Sequence, residues 1–128
     1  MYPNENNLKD KVILSGNVPN ITEFYKKAAI FVLTSDMEGL PMVLLEAKAH
    51  KLPIVSFDIQ TGPSDIIRNN QNGFLIEPYY IEEMAKKIEL LIQNEDLREQ
   101  FSDNTVLDME KFSPERIMQQ WTSLIQIL

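Results

Sequence analysis

The sequence feature that most constrains the fold is the stretch of residues 30–57. It opens with a short run of β-branched and aromatic residues, 30–34, which is typical of a strand covered on both faces. A polar turn follows, and then an apolar segment, 41–50, whose proline suits the first position of a helix. Residues 52–57, which include a second proline at position 53, form a second apolar run. A strand, a helix and a strand in this order predict a right-handed βαβ unit with parallel strands.

The same alternation extends on both sides of this unit. Residues 11–15 (KVILS) predict an earlier strand, and Asn20 with Glu23 three positions later predicts a capping box that opens a helix. A short helix over 64–70 and a strand over 74–76 are predicted next. Only helices are predicted after that, over 81–92, from residue 96, over 106–112, and from a Ser113-Pro114 start.

This pattern predicts the α/β class, with a Rossmann-like parallel sheet, flanking helices and a helical C-terminal end in one domain, 1–128. Ligands of such sheets bind outside the carboxyl ends of the strands. Glu38, Gly39 and the pair Thr61-Gly62 all follow predicted strand ends. We therefore expect them to line one edge of the sheet.

Glu46 is the carboxylate of an otherwise apolar helix, so we expect it to have little access to solvent. A buried carboxylate is costly unless something hydrogen-bonds to it. Two alternatives follow: a bound ligand, or an ion pair with a lysine such as Lys48 or Lys51.

Composition excludes several classes of function. The net charge of −7 argues against nucleic acid or anionic lipid as a partner. With no cysteine and one histidine the chain has no disulfide and no thiolate or histidine-cluster metal site. No apolar run reaches membrane-spanning length, and the first residues lack the apolar core of a signal peptide. The sequence therefore predicts a cytoplasmic protein without a metal site of these kinds.

A longer ordered string carries a family resemblance. Ser35, Glu38-Gly39-Leu40-Pro41, Glu46-Ala47 and Leu52-Pro53-Ile54-Val55 together resemble the Glu-x7-Glu signature of family 4 retaining glycosyltransferases, which have the GT-B fold. The similarity runs from residue 10 to residue 121. It implies the larger, C-terminal part of a nucleotide-sugar-binding domain, without the N-terminal domain that binds the acceptor.

The resemblance also implies roles for individual residues. Glu38 would face the donor hexose and the positive charge that develops on it, and Glu46 would hold both ribose hydroxyls in a bidentate grip. The start of the helix would bind the diphosphate through its free N–H groups. The residues of that helix start are Gly39, Leu40, Pro41, Met42 and Val43.

Two loops complete the implied site. Thr61 and Gly62 match the loop that closes against the sugar and phosphates, and Val18 lies in the loop that receives the nucleobase. No cofactor is implied, because the nucleoside diphosphate sugar is itself the donor substrate. The acceptor would be a glycan or a lipid-linked glycan bound through the missing domain, and the full-length parent would be cytoplasmic or peripheral at the inner face of the membrane.

The chain departs from the family in two places. Lys51 stands where the family has glycine, and a left-handed lysine costs about 1 kcal/mol. The basic residues that bind the diphosphate in the family lie on an earlier strand that this chain lacks. We therefore expect the fragment to be inactive alone.

Loss of early strands also exposes sheet edges. We expect self-association, or direct pairing of residues 12–14 with residues 31–33. Two alternative functions stay open: a sugar-nucleotide epimerase on the GT-B sheet, and a non-catalytic module that binds a nucleotide or a partner protein.

Overall fold

The computed structural model describes residues 7–127. Its helices and strands are, in chain order, α1 (Ile21–Lys27), β1 (Phe31–Leu33), α2 (Met42–Ala49), β2 (Ile54–Phe57), α3 (Pro63–Ile66), β3 (Gly73–Ile76), α4 (Ile81–Gln93), α5 (Glu95–Asn104), a 3-10 helix (Met109–Phe112) and α6 (Pro114–Ile127).

The three strands form one parallel sheet in the order β1-β2-β3. Val55 of β2 lies opposite Val32 of β1 and Phe74 of β3. All four residues of the central strand β2 are buried, as expected for an apolar run covered on both faces. The fold is therefore the α/β, Rossmann-like sheet with flanking helices that the sequence predicts.

The helices cover the two faces of the sheet with separate cores. On one face, α4 and α5 contribute Met84, Leu91 and Phe101 to a cluster with residues of β2 and β3. On the other face, a second cluster includes Tyr25 of α1 and Leu44 of α2. Burial of these two apolar surfaces is the main force that holds the layers together.

The prediction that residues 30–34 are covered on both faces is only partly right. Phe31 and Leu33 are half-buried, whereas Val32 is 39% exposed. The reason is position, because β1 lies at the edge of the sheet while β2 lies at its centre. A continuous apolar run in the sequence does not distinguish these two places.

The predicted strand over residues 11–15 is wrong. In the structure this segment belongs to no sheet, and Val12, Ile13 and Leu14 are 41%, 85% and 75% exposed. The predicted pairing of residues 12–14 with β1 is also wrong, since β2 is the strand that β1 pairs with in the described chain. A strand needs a neighbour to satisfy its backbone groups, and β propensity alone does not supply one.

Helix starts were predicted with mixed success. Helix α1 does begin after Asn20, but the Asn20 side chain makes no capping hydrogen bond, and Glu23 pairs with Lys26 instead, so the capping box is wrong. Helix α6 begins as predicted, because the Ser113 hydroxyl accepts a hydrogen bond from the amide of Arg116.

The predicted helix over 106–112 is replaced by a turn and the 3-10 helix. Asp108 precedes the 3-10 helix with a φ of 64°, in the left-handed region. That conformation cannot occur inside a right-handed helix, so it interrupts the segment.

Candidate functional site

Two loops meet at the carboxyl edge of the sheet. One joins β1 to α2 and carries Glu38 and Gly39; the other joins β2 to α3 and carries Thr61 and Gly62. The Thr61 hydroxyl donates a 2.6 Å hydrogen bond to the carbonyl oxygen of Glu38. The structure thus brings together the residues that the sequence predicts at this edge.

Gly62 lies where the two loops are closest. Its φ is +105°, and a Cβ at this position would lie 2.6 Å from Cδ of Pro41 and 2.7 Å from the carbonyl oxygen of Gly39. Both distances are too short for a side chain, and the backbone conformation is one that L residues rarely adopt. Glycine is therefore required here for close approach of one loop to the other.

A hydrogen bond within its own loop holds the Glu38 carboxylate in place. The Ser35 hydroxyl donates a 2.7 Å hydrogen bond to Oε1 of Glu38, and the residue is half-buried. A carboxylate has further acceptor positions, so this bond leaves Glu38 able to accept other donors. The sequence marks Ser35 only as part of the family string, and its contact with Glu38 emerges from the structure.

Helix α2 starts one residue later than expected. Pro41 is the N-cap rather than the first helical residue, and its carbonyl accepts the amide of Leu44 at 3.0 Å. Met42 and Val43, the first two helical residues, are 59% and 36% exposed. The positive end of the α2 dipole therefore opens to solvent beside Glu38, as an anion site requires.

The expectation that Glu46 has little access to solvent is wrong, because Glu46 is exposed. The buried face of α2 carries Leu44, Ala47 and Lys48, which is the i, i+3, i+4 spacing of one helix face. Glu46 lies off this face, about 6 Å along the axis from the first helical residue. The ion pair with Lys48 or Lys51 is also wrong, since the partner of Glu46 is a tyrosine.

Tyr25 of α1 is that partner. Its hydroxyl donates a 2.9 Å hydrogen bond to Oε2 of Glu46, and its ring stacks on His50 with centroids 5.0 Å apart. Burial, then the hydrogen bond and negative charge of Glu46, raise the pKa of Tyr25 to about 12. The tyrosine thus stays a neutral donor that orients Glu46. The sequence did not assign Tyr25 to the site, because a hydrogen bond between residues 21 positions apart leaves no local signal.

The remaining predicted residues are less closely joined. Leu40 is 50% exposed, and a Cβ on Gly39 would meet nothing within 4 Å. Val18 is half-buried in the loop before α1, and no hydrogen bond between described residues connects it to the two site loops. Its place in the site is therefore untested.

Lys51 keeps the left-handed conformation without glycine. Its φ is 59°, and its carbonyl accepts a 2.7 Å hydrogen bond from the Ser102 hydroxyl of α5. The end of α2 therefore has the backbone turn that glycine would give, at a local cost in backbone energy.

A cavity of about 550 Å³ lies at the opposite edge of the sheet. It is lined by residues 28–29 and 50–53, which precede β1 and β2, and by the polar side of α5. Because it adjoins the amino ends of the strands, it is separate from the loops described above. Within residues 7–127, no helix has the length and apolarity to cross a bilayer.

Comparison with known proteins places this fold in a family. The description of the family model that matches residues 4–107 is Glycosyl transferases group 1. The poly(ribitol-phosphate) alpha-N-acetylglucosaminyltransferase of Staphylococcus aureus (strain COL) is 37% identical over 121 residues, covering 94% of this chain and 24% of that protein. An uncharacterized glycosyltransferase of Haemophilus influenzae is 36% identical over 118 residues, covering 92% of this chain and 33% of that protein.

A solved structure agrees with this. A crystal structure of an S. aureus TarM mutant, in complex with fondaparinux, alpha-GlcNAc-glycerol and UDP, superposes with a TM-score of 0.88 at 36% identity, over 95% of this chain and 25% of that one. The chain thus spans a quarter to a third of the length of these relatives. It belongs to the glycosyl transferases group 1 family, with the fold of the C-terminal, Rossmann-like domain of GT-B glycosyltransferases.

Proposed function

We propose that this chain is the donor-binding part of a retaining glycosyltransferase. The enzyme would transfer a hexosyl or N-acetylhexosaminyl group from a nucleoside diphosphate sugar to a hydroxyl of a glycan or lipid-linked acceptor. The observation that carries the proposal is the junction of the two loops through Thr61, Gly62 and Glu38, beside the open start of α2. A relative whose structure contains UDP supports a nucleotide donor.

The diphosphate would lie at the start of α2. In the described chain the amides of Met42 and Val43 have no backbone acceptor, whereas the amide of Leu44 is already bonded to Pro41. Free N–H groups and the helix dipole favour negative charge at this end. Gly39 and Leu40 lie in the same loop and would add backbone donors.

Glu38 would act on the sugar. Its carboxylate accepts hydrogen bonds from hydroxyl groups and stabilises the positive charge that develops at the anomeric carbon as the diphosphate leaves. The Ser35 bond holds this carboxylate in place before the substrate binds. Pre-organised charge of this kind is worth most in a site from which closure excludes water.

Glu46 would hold the ribose. One oxygen of its carboxylate already accepts the Tyr25 hydroxyl, and the exposed carboxylate can accept the protons of two vicinal hydroxyls. Val18 would lie near the nucleobase. No cofactor and no metal take part in this scheme; the charge of the diphosphate is met by the helix start and by basic residues outside this chain.

Alanine variants of the two glutamates test the assignment in the full-length parent protein. Glu38→Ala should lower kcat by about 10²–10³-fold with little change in the donor KM, as for loss of a charge-stabilising group. Glu46→Ala should raise the donor KM by about 10–100-fold, as for loss of hydrogen bonds to a charged group. Glu115→Ala, an exposed glutamate of α6, is the control and should leave both constants unchanged.

Unchanged transfer in both glutamate variants would remove the site assignment and favour a non-catalytic nucleotide-binding module. Retention is tested separately, by comparing the anomeric configuration of donor and product by NMR. An inverted product would exclude the retaining mechanism while leaving the donor site in place.

The acceptor would bind to a part of the parent protein outside this chain, so we propose that the 128-residue chain has no transferase activity alone. Turnover by the isolated chain in a sugar-transfer assay would contradict this. The expectation that the full-length parent is cytoplasmic, or peripheral at the inner face of the membrane, remains a prediction.

We also infer self-association of the isolated chain. The outer edge of β1 has no partner strand among residues 7–127, and Val32 of this edge strand is 39% exposed. On the opposite edge, the Asn69 side chain accepts the Leu75 amide and so covers part of β3. Sedimentation should therefore give concentration-dependent dimers that Val32→Lys abolishes; a monomer at all concentrations would contradict the inference.

A further inference from the structure

An ion cluster with a completely buried lysine lies at the C-terminal end of α3. It consists of Lys48, Arg68, Asp108 and Lys111, and we call it the Asp108 cluster. The Lys48 side chain is completely buried, and its ammonium donates to Oδ1 of Asp108 at 2.9 Å and to the carbonyl oxygen of Ile66 at 3.0 Å. A buried ammonium is costly unless it is paired and hydrogen-bonded, and both contacts offset that cost.

Asp108 joins three cations. Lys48 binds one carboxylate oxygen, while Arg68 at 3.0 Å and Lys111 at 3.6 Å lie against the other. Burial would raise the pKa of Asp108, but the hydrogen bond and charge of Lys48, with the charges of Lys111 and Arg68, hold it below its ordinary value. Asp108 is therefore a fixed negative charge at the centre of the cluster.

Members of this cluster hold the end of α3. Lys48 donates to Ile66, the last residue of α3, and Lys111 donates to the carbonyl oxygen of Asp65 at 2.9 Å. Helix α3 has four residues, too few to be stable by its own hydrogen bonds. Its position thus depends on contacts with other parts of the chain.

The opposite end of α3 belongs to the candidate site. Gly62 is its N-cap and lies against Pro41 and Gly39, and Thr61 is bonded to the carbonyl of Glu38. Helix α3 is therefore fixed at both ends: to the site loops at its start, and to Lys48 and Lys111 at its end. Any rotation of α3 about its end would move the Thr61-Gly62 loop.

We propose that Lys48 and Asp108 are positioning residues for the donor site, which hold α3 so that the Thr61-Gly62 loop stays against Glu38 and the start of α2. The inference rests on the proposed function, because it assigns the loop to the nucleotide sugar. Neither residue touches the substrate. They act through the carbonyl of Ile66 and the path of α3.

An ion pair at this position indicates that Lys48 and Asp108 orient α3 and do not only stabilise the fold. Apolar residues of similar volume often replace a buried ion pair without loss of stability. The carbonyl of Ile66, however, needs a directed donor, which an apolar side chain cannot supply. Removing both charges together should therefore keep the chain folded, with some loss of stability from the unpaired Ile66 carbonyl, while it frees the Ile66 end of α3.

The test is the double variant Lys48→Met/Asp108→Asn in the 128-residue chain. Methionine keeps the length of the lysine side chain, and asparagine tolerates the left-handed backbone of residue 108. Urea unfolding gives the global stability. Hydrogen exchange is followed at the amides of Asp65 and Ile67, which bond to the carbonyls of Gly62 at 3.1 Å and Pro63 at 2.8 Å.

We expect exchange at these two amides to become faster by about tenfold, the effect of losing one hydrogen bond, with exchange at the Val55 amide unchanged and the chain still folded without urea. Affinity for UDP or GDP, whichever binds the unmodified chain, should fall by about tenfold or more, because a small misplacement of a binding group is costly. The control Lys86→Met changes an exposed lysine of α4 and should alter neither readout.

The outcomes separate the two proposals. Unchanged exchange at Asp65 and Ile67 in a folded double variant overturns the positioning role. Faster exchange with unchanged nucleotide affinity overturns it as well, since the loop would then not depend on α3. Faster exchange in a chain that binds neither UDP nor GDP supports the control of α3, and the nucleotide affinity is then measured in the full-length parent, where absence of binding would count against the proposed donor site.

A second variant covers the case in which the double variant does not fold. Lys48→Met alone removes the bond to the Ile66 carbonyl, while Asp108 stays paired with Arg68 and Lys111, so no buried charge is left without a partner. It should also make exchange at Asp65 and Ile67 faster. No change at these amides in that variant overturns the proposal.

Discussion

Replacing Gly62 with alanine tests whether the two site loops are locked by direct contact. The new Cβ would lie 2.6 Å from Cδ of Pro41 and 2.7 Å from the carbonyl oxygen of Gly39. Carbon atoms in contact are normally about 3.5–4.0 Å apart. One neighbour is a ring and the other is backbone, so neither can rotate away.

The loss in the free energy of unfolding caused by Gly62→Ala has two parts. The backbone of Gly62, with φ 105° and ψ −69°, lies outside the regions open to L residues, which costs about 1–3 kcal/mol for alanine. Relief of the two close contacts adds about 1–3 kcal/mol, as in other overpacked sites. The expected loss in the free energy of unfolding is therefore about 2–6 kcal/mol, a large part of the 5–15 kcal/mol typical of a domain.

Two other glycines supply matched controls. Gly16 has a φ of +61° but nothing within 4 Å of a built Cβ, so Gly16→Ala isolates the backbone cost, about 1 kcal/mol. Gly39 has neither a left-handed φ nor a close neighbour, so Gly39→Ala should change stability by less than about 0.5 kcal/mol.

Urea unfolding of the three variants measures these differences directly. A nucleotide titration of the folded fraction should show weaker binding for Gly62→Ala, because the loops are forced apart. If Gly62→Ala is no more destabilising than Gly16→Ala, the two site loops are not in close contact at Gly62. That result would refute the assignment of both loops to one site.

Three further predictions concern single side chains. The pKa of Tyr25 is about 12 in the folded chain and 10.0 in its ordinary state. The neutral Tyr25 hydroxyl therefore contributes its full stabilisation of the fold below pH 10, and this contribution is lost as the pH rises through 12. The loss is at most about 2.7 kcal/mol, reduced by solvent around Glu46, and Tyr25→Phe should remove this pH dependence of unfolding. Asn94→Ala should cost about 1 kcal/mol in thermal unfolding, because the Asn94 side chain accepts the Leu97 amide at the start of α5; no loss would contradict the cap. Lys51→Gly should stabilise the fold by about 0.5–1 kcal/mol in urea by relieving a left-handed lysine, and a loss of stability would show that other contacts of Lys51 outweigh this strain.

Much of the fold was predictable because its signals are local. The apolar runs of β1, β2 and β3, the prolines and the amphipathic pattern of α4 give element type and order, and the alternation then fixes parallel strands. The prediction of a strand over residues 11–15 is wrong for the opposite reason. Their β-branched composition is local, but pairing requires a neighbouring strand that the described chain does not offer.

The candidate site was predictable in outline. Carboxyl ends of adjacent parallel strands meet at one edge, so the sequence brings Glu38, Thr61 and Gly62 to the same place, and the structure adds the bonds between them. The orientation of α2 was not predictable. Because its residues are apolar on nearly every side, the pattern does not say which face turns inward.

The sequence by itself determined the order of the elements from α1 to α5, the edge of the sheet where the loops meet and the family to which the chain belongs. Tertiary structure decided that Lys48 is buried and that Glu46 is exposed. It paired Lys48 with Asp108, 60 positions away, and Glu46 with Tyr25, 21 positions away. The physical reason is that a charge can be buried only where folding brings an opposite charge or a carbonyl to it. Such a meeting of distant residues leaves no local trace in the sequence.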